Sequence, residues 1–298
     1  MICLERLNYI SVLTRKVNVM SQQEEYMQRI LKVLIYIEEH LDDEITLEQL
    51  AKIAHYSPFH FHRLFQAIVG ESVGQYVKRL RLEKAAAQLR QGEKSITEIA
   101  LDSHYDTPSA FNKAFKQSMG ESPSRYRAVL NLLHHKLKEL AMITPSKIEK
   151  IPDLDVLFVR RVGSYSQAPW SAWDAMDRFI ESEGLDKSKV RCFGIPHDDP
   201  QITAEDKLRY DACILSPGAK AKGEIGREVI KGGKYAIFIH HGPYINLSET
   251  FNKIFLKWLP ANKEQYDDSR SSFTEYLKTE FVKTDPSKLE TMVFVPLV

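Results

Sequence analysis

One stretch of this chain, residues 47–76, occurs twice, and that repetition limits what the N-terminal half can fold into. Leu50-Ala51, His55-Tyr56, Ser57-Pro58, Phe61, Phe65, Gly70-Glu71-Ser72 and Tyr76 return as Ile99-Ala100, His104-Tyr105, Thr107-Pro108, Phe111, Phe115, Gly120-Glu121-Ser122 and Tyr126. The offset is about fifty residues, with one extra residue in the second turn, where Asp106-Thr107 stands against Ser57. Repetition at a fixed offset implies one supersecondary unit used twice.

The unit has the pattern of a helix-turn-helix. Its first helix (46–54, then 96–103) carries apolar residues at helical spacing around a small Ala51 or Ala100, which lets a second helix cross closely. Ser57-Pro58 and Thr107-Pro108 are helix starts: the hydroxyl caps orphan N–H groups, and proline at the first position gives up a donor that has no partner there. On the helix that follows, Phe61, Leu64 and Phe65 share one face, as do Phe111, Ala114 and Phe115. The opposite face carries Phe59, His60, His62 and Arg63 in copy one, and Ser109, Asn112 and Lys113 in copy two. Taken alone, this pattern also suits two helical hairpins whose outer faces are merely solvated.

Composition places the chain among ordinary globular proteins. Its 298 residues, 43% hydrophobic and 27% charged, suffice for two domains with real cores. The net charge of +1 does not announce a nucleic-acid partner. The distribution says more: Lys78, Arg79, Arg81, Lys84, Arg90 and Lys94 cluster between the copies, and Glu38, Glu39, Asp42, Asp43 and Glu44 precede them. Cys3, Cys192 and Cys213 are far apart, which fits a reduced, cytoplasmic setting and argues against structural zinc or a disulfide framework. His60 and His62 diverge on a helix, and His134-His135 and His240-His241 are adjacent, so no metal site and no cofactor are expected. No apolar run approaches the roughly 20 residues of a membrane helix. Residues 1–20 read as a translated leader, since Glu5, Arg6, Arg15 and Lys16 interrupt any signal-like core and Met20 offers an alternative start.

Residues 24–41 predict an amphipathic helix with Tyr26, Ile30, Val33, Leu34 and Ile37 on its apolar stripe. Residues 74–91 predict a second, connecting helix of about 25 Å at 1.5 Å per residue. Major-groove faces on one side of DNA lie about 34 Å apart. A rigid connector of this size suits two recognition helices one turn apart, with its exposed Lys and Arg near phosphates.

The tandem copies, their connector and the ending Gly120-Glu-Ser-Pro-Ser-Arg-Tyr-Arg127 resemble the DNA-binding domain of the AraC/XylS regulators over residues 22–127. The resemblance implies that both recognition helices enter adjacent major-groove segments of an asymmetric promoter site in double-stranded DNA. RNA polymerase is the further partner it implies. Carried over by position, the base-edge candidates are Phe59, His62 and Arg63, then Ser109, Asn112 and Lys113, with Lys78 and Arg81 on the connector near phosphates. Arg or Lys suits guanine, Asn suits adenine, and an aromatic ring contacts a thymine methyl. Phe59 and His62 stand where related activators often carry Trp and Gln, so the preferred sequence differs. Helix is predicted to continue over 128–143 before Thr144-Pro145-Ser146 breaks it, giving domains at 21–143 and 144–298.

From Lys147 the texture is α+β. The runs 156–159 and 235–239 are β-rich, and each leads to a Gly-x-Tyr turn (Gly163-Ser-Tyr165; Gly242-Pro-Tyr244) and an amphipathic helix. Gly163, Tyr165 and Phe179 match Gly242, Tyr244 and Trp258 at a constant offset, a second and fainter repeat. These turns, the aromatic helices and the strand near Phe273–Tyr276 resemble the GyrI-like small-molecule-binding domain, a pseudo-two-fold fold with a cleft between its halves. That resemblance implies a small lipophilic, often cationic effector. Tyr165, Trp170 and Tyr244 are the expected ligand contacts, whereas Trp173, Phe179, Phe251 and Trp258 are expected in the core.

The remaining expected contact is Glu275. The family carries Phe-Glu-x-Tyr in this strand, and this chain has Phe273-Thr-Glu-Tyr276, which puts the acid one position late. Strand side chains alternate, so the shift turns the carboxylate away unless a bulge re-aims it, and Thr274 otherwise holds the cleft position. The leading expectation is a ligand-sensing transcriptional regulator. The alternatives are a hydrolase using Tyr244 and Glu275, and a protein-interaction module gating the DNA-binding half.

Overall fold

The computed structural model describes residues 24–92, 94–128, 142–215, 218–262, 264–277 and 285–298. The expected leader lies outside the described residues, as do residues 129–141 of the helix expected to follow copy two. The chain divides into two compact units. One holds the chain up to Val77 with Lys220–Gly226; the other holds Lys78–Ala219 and Arg227–Val298.

In the first unit, α1 (24–39) precedes α2 (Leu47–Ile53), α3 (Pro58–Val69) and the start of α4 (Val73–Gln91). Ile30, Val33 and Ile37 of α1 are buried, as its apolar spacing predicts. The turn after α2 is a Schellman motif: Tyr56 N–H bonds Ala51 O at 2.9 Å and His55 N–H bonds Lys52 O at 3.1 Å. Its left-handed position is held by His55 at φ +56°, where glycine is usual. Arg29 reinforces the same turn, donating from Nη1 to Ala54 O and His55 O at 3.2 Å each. Ser57 then caps α3 by accepting from His60 N–H at 3.4 Å.

The second unit opens with the rest of α4, then α5 (Ile96–Asp102), α6 (Pro108–Met119) and α7 (123–128). Copy two repeats the turn and cap bonds between the paired helices of copy one. Tyr105 N–H reaches Ala100 O at 3.1 Å, His104 N–H reaches Leu101 O at 2.9 Å, and His104 has φ +60°. Thr107 caps α6 through Ala110 N–H at 3.2 Å, and a full capping box of Ser95 and Glu98 opens α5. Phe65 meets Tyr76 at 5.8 Å and 79°, and Phe115 meets Tyr126 at 5.5 Å and 79°. The duplication is therefore one of packing as well as of letters.

The rest of this unit is built on an eight-stranded sheet. Its strands are β1 (Lys147–Ile151), β2 (Leu154–Val162), β3 (Arg191–Pro196), β4 (Arg209–Leu215), β5 (Gly226–Ile230), β6 (Gly233–His241), β7 (Phe273–Tyr276) and β8 (Glu290–Pro296). Their order is β1-β6-β8-β7-β3-β4-β2-β5. Each pairing from β1 across to β2 is antiparallel.

The order mirrors itself about the β7–β3 seam, as the faint repeat predicts: β2–α8–β3–β4 answers β6–α9–β7–β8. The arms are exchanged, since β1 leads into β2 but lies beside β6, and β5 leads into β6 but lies beside β2. Helix α8 (Ala168–Ser182) packs on β2 and β4. Helix α9 (Leu247–Lys253) continues through a π-helical turn, Ile254–Trp258, whose Ile254 and Trp258 join Ala236, Phe238, Val293 and Val295 over β6 and β8. The central strands β3 and β7 thus form the floor between two helix-covered flanks.

Candidate nucleic-acid interface and ligand groove

On α3 the capped N-terminus presents Phe59, 74% exposed, and an exposed Arg63 whose guanidinium stacks over the Phe59 ring at 5.8 Å. His62 is half-buried beside them. His60 is exposed, as expected, and its ring also packs edge-on against Tyr56 at 4.9 Å and Tyr26 at 6.4 Å. On α6, Ser109, Asn112 and Lys113 are all exposed, opposite the buried Phe111, Ala114 and Phe115. On α4, Lys78 is exposed and Arg81 is half-buried, near enough to Tyr105 to act on its phenol. Each outer face therefore carries the polar and aromatic groups expected of it, and the two sets differ.

The groove in the sheet domain follows from register. Gly194 lies opposite Thr274, Phe193 opposite Glu275, and Cys192 opposite Tyr276. Pleating sends Cys192, Gly194, Thr274 and Tyr276 to the helix-bearing face and Phe193 and Glu275 to the other. No bulge interrupts the pairing. Glu275 is therefore not a groove residue, correcting the expected contact: its carboxylate takes both Arg191 Nε and Nη2 on the far face, at 2.8 and 3.0 Å. Thr274 holds the groove position, is 2% exposed, and donates to Gly194 O at 3.2 Å.

Around that floor lies a chain of neutral hydroxyls. Trp173 Nε1–H donates to Tyr210 Oη at 3.1 Å, and Tyr210 and Tyr276 share a hydrogen bond at 2.9 Å. Trp173 and Tyr244 stand edge to face with Tyr276, with ring centres at 5.6 and 5.0 Å. Gly194 makes room for this: a Cβ there would lie 2.7 Å from the Tyr276 hydroxyl, 3.0 Å from Thr274 Oγ1, and closer still to the Tyr210 hydroxyl. Burial raises the phenol pKa of Tyr210 well above its ordinary value, raises that of Tyr276, and pushes that of Tyr244 up to about 12. These groups are neutral donors and acceptors near pH 7.

The remaining expected contacts take separate places. Tyr165 sets its ring 6.4 Å from Tyr210, while its hydroxyl accepts from Asp198 N–H at 3.0 Å and lies 2.8 Å from Asp198 O. Trp170 lies one turn before Trp173 and is 68% exposed. Phe179 and Trp258 are core, as expected, but Trp173 is half-buried and belongs to the groove. Tyr210, Tyr276 and Gly194 went unread as groove residues. Tyr276 shares Thr274's alternation, which was the available signal, whereas nothing in the sequence pairs Tyr210 with β7.

Across the sheet, the fully buried Asp211 bonds Arg160 at 2.8 and 2.7 Å and His197 at 2.6 Å. Burial alone would raise its carboxyl pKa, but Arg160 and His197 hold it well below the usual range. The loop between β3 and β4 also meets copy two. Asp199 pairs with Arg90 of α4, and Ile202 packs on the cluster of Leu82, Leu89, Phe111 and Phe115. Among the described residues, no group of His, Cys, Asp and Glu is placed to hold a metal, and no helix is long and apolar enough to cross a membrane.

Comparison with known proteins agrees with this geometry. Residues 144–298 match the GyrI-like small molecule binding domain, and residues 50–128 match a helix-turn-helix domain. The Right origin-binding protein of Escherichia coli K12 is 37% identical over 95 residues, 32% of this chain and 33% of that protein. The chain thus spans about a third of the length of these first relatives. The Regulatory protein SoxS of Salmonella typhimurium is 34% identical over 101 residues, 34% of this chain and 94% of that protein. Among solved structures, EcmrR in a DNA complex aligns at a TM-score of 0.45 and 18% identity, covering 84% of this chain and 98% of that one. The chain belongs to the AraC-type helix-turn-helix regulators and carries a GyrI-like small-molecule-binding domain at its C-terminal end.

Proposed function

We propose that this protein regulates transcription by binding an asymmetric site in double-stranded DNA with both helix-turn-helix copies, under the control of a small lipophilic molecule held in the sheet-domain groove. The observation that carries the reading is the duplication of the turn and cap bonds of the α2–α3 and α5–α6 units, with chemically different outer faces. Different faces read different bases, so the site lacks two-fold symmetry. Phe59, His62 and Arg63 read one segment and Ser109, Asn112 and Lys113 the other, with Lys78 and Arg81 toward phosphates. RNA polymerase is the partner through which occupancy alters transcription, and the protein acts in the cytoplasm, where its DNA lies.

The ligand is enclosed by Trp173, Tyr210, Tyr244, Thr274 and Tyr276, with Trp170 at the entrance. The loop holding Asp198, Asp199 and Ile202 supports coupling, because it bonds Tyr165 at the groove and Arg90 on α4. A hydrolase using Tyr244 and Glu275 gains no support, since Tyr244 stands against Tyr276 on the groove face of β7 while alternation turns Glu275 to the opposite face, where it takes Arg191. Fluorescence anisotropy of labelled duplexes, with and without ligand, tests the reading. Ligand-dependent affinity is expected in the wild type, and its absence across a broad panel of lipophilic molecules would refute it.

A further inference from the structure

We infer that the groove selects neutral molecules bearing a hydroxyl or carbonyl oxygen on a bulky apolar frame, and that it discriminates against organic cations. The inference rests on the small-molecule reading above and names the ligand's chemistry. Its basis is the polar inventory of the floor: Thr274 Oγ1, Tyr210 Oη and Tyr276 Oη, with Tyr244 beside them. Rotating hydroxyls can turn a donor or an acceptor toward one uncharged oxygen.

Carboxylates that could neutralise a buried cation are engaged elsewhere. Glu275 faces away and takes Arg191; Asp211 is clamped by Arg160 and His197; Asp198 takes Arg209 Nη2 at 2.6 Å. Asp177, on the groove side of α8 near Cys192, is half exposed and lies 3.4 Å from Lys187 Nζ. The phenols near the floor resist ionisation, and burial pushes the Cys192 thiol up to about 12, so none of them supplies an anion near pH 7. Aromatic faces do attract cations, but Trp173 and Tyr244 each stand edge to face with Tyr276, so part of that ring surface is already occupied. Stripping water from a cation without a counter-charge outweighs what remains.

The test uses the full chain and two probes of nearly equal shape, triphenylphosphine oxide and the methyltriphenylphosphonium cation, with binding read by tryptophan fluorescence and melting shift. The oxide is expected to bind the wild type at least about tenfold more tightly. Tyr276→Phe is expected to weaken the oxide by about tenfold while leaving the phosphonium unchanged. Thr274→Glu, which places an acid on the floor, is expected to reverse the preference; if that variant does not fold, Tyr276→Phe decides the matter. Equal or tighter binding of the phosphonium to the wild type overturns the inference while leaving ligand sensing intact. Binding of neither probe overturns the inference and counts against the ligand reading as well.

Discussion

Arg90 of α4 and Asp199 of the β3–β4 loop form an ion pair, Nη1 to Oδ2 at 2.5 Å, one residue from the backbone that holds the Tyr165 phenol. Both side chains are partly shielded, at 14% and 33% exposed, so the pair contributes about 1 kcal/mol at most. Under the proposed function its larger consequence is coupling of ligand to DNA. In Asp199→Ala, ligand-induced change in DNA affinity should shrink, with ligand-free affinity altered less than about fivefold, the scale of so weak a pair. The exchanged pair, Arg90→Asp with Asp199→Arg, should recover the response. A full response in Asp199→Ala would remove this loop from the mechanism.

His55 and His104 hold left-handed positions that glycine fills without strain. His55→Gly should raise stability by about 0.5 kcal/mol, the strain relieved being partly offset by greater freedom of the unfolded chain. His55→Val should lower it by about 1–2 kcal/mol, since a branched side chain resists this conformation. Urea unfolding monitored by circular dichroism separates the two.

Asp211 sets an acid limit on stability. Its folded pKa lies below the unfolded value of about 3.9, so the folded chain takes up that proton later than the unfolded one. Its contribution is complete above about pH 4 and is lost as pH falls through the folded value. Asp211→Asn leaves Arg160 and His197 without their carboxylate and should cost about 3–5 kcal/mol at pH 7. Chemical denaturation at pH 7 and again near pH 3 should show that gap narrowing in acid. A gap that is constant with pH would contradict the assignment.

On DNA, Lys78→Ala should weaken all sequences alike and reduce the slope of log affinity against log salt by about one. Arg63→Ala and Lys113→Ala should each cost about 1–3 kcal/mol on the preferred site and relax specificity at one position. Salt titrations on matched and scrambled duplexes distinguish a phosphate contact from a base reader.

The N-terminal units were legible because their signals are local. Ser57-Pro58, Thr107-Pro108 and the Gly70 and Gly120 ends fix helix boundaries within a few residues of chain. The two Gly-x-Tyr turns likewise announced a doubled sheet domain. Strands β1, β3, β4, β5 and β8 went unread, since their pairing partners lie far away in sequence. Trp173 looked like core because helical spacing gives the buried stripe but not its edges, and this residue sits where α8 meets the groove. Glu275 was decided by alternation along four residues of β7, once register excluded a bulge.

In the proposed function, one chain reads one asymmetric site with two unlike helices. Selection of the full-length protein on random duplex DNA tests it most directly. The expected result is a non-palindromic consensus of two blocks about one helical turn apart. Arg63→Ala should relax one position within one block and Lys113→Ala one position within the other. An enriched palindrome, or one block insensitive to both substitutions, would contradict it.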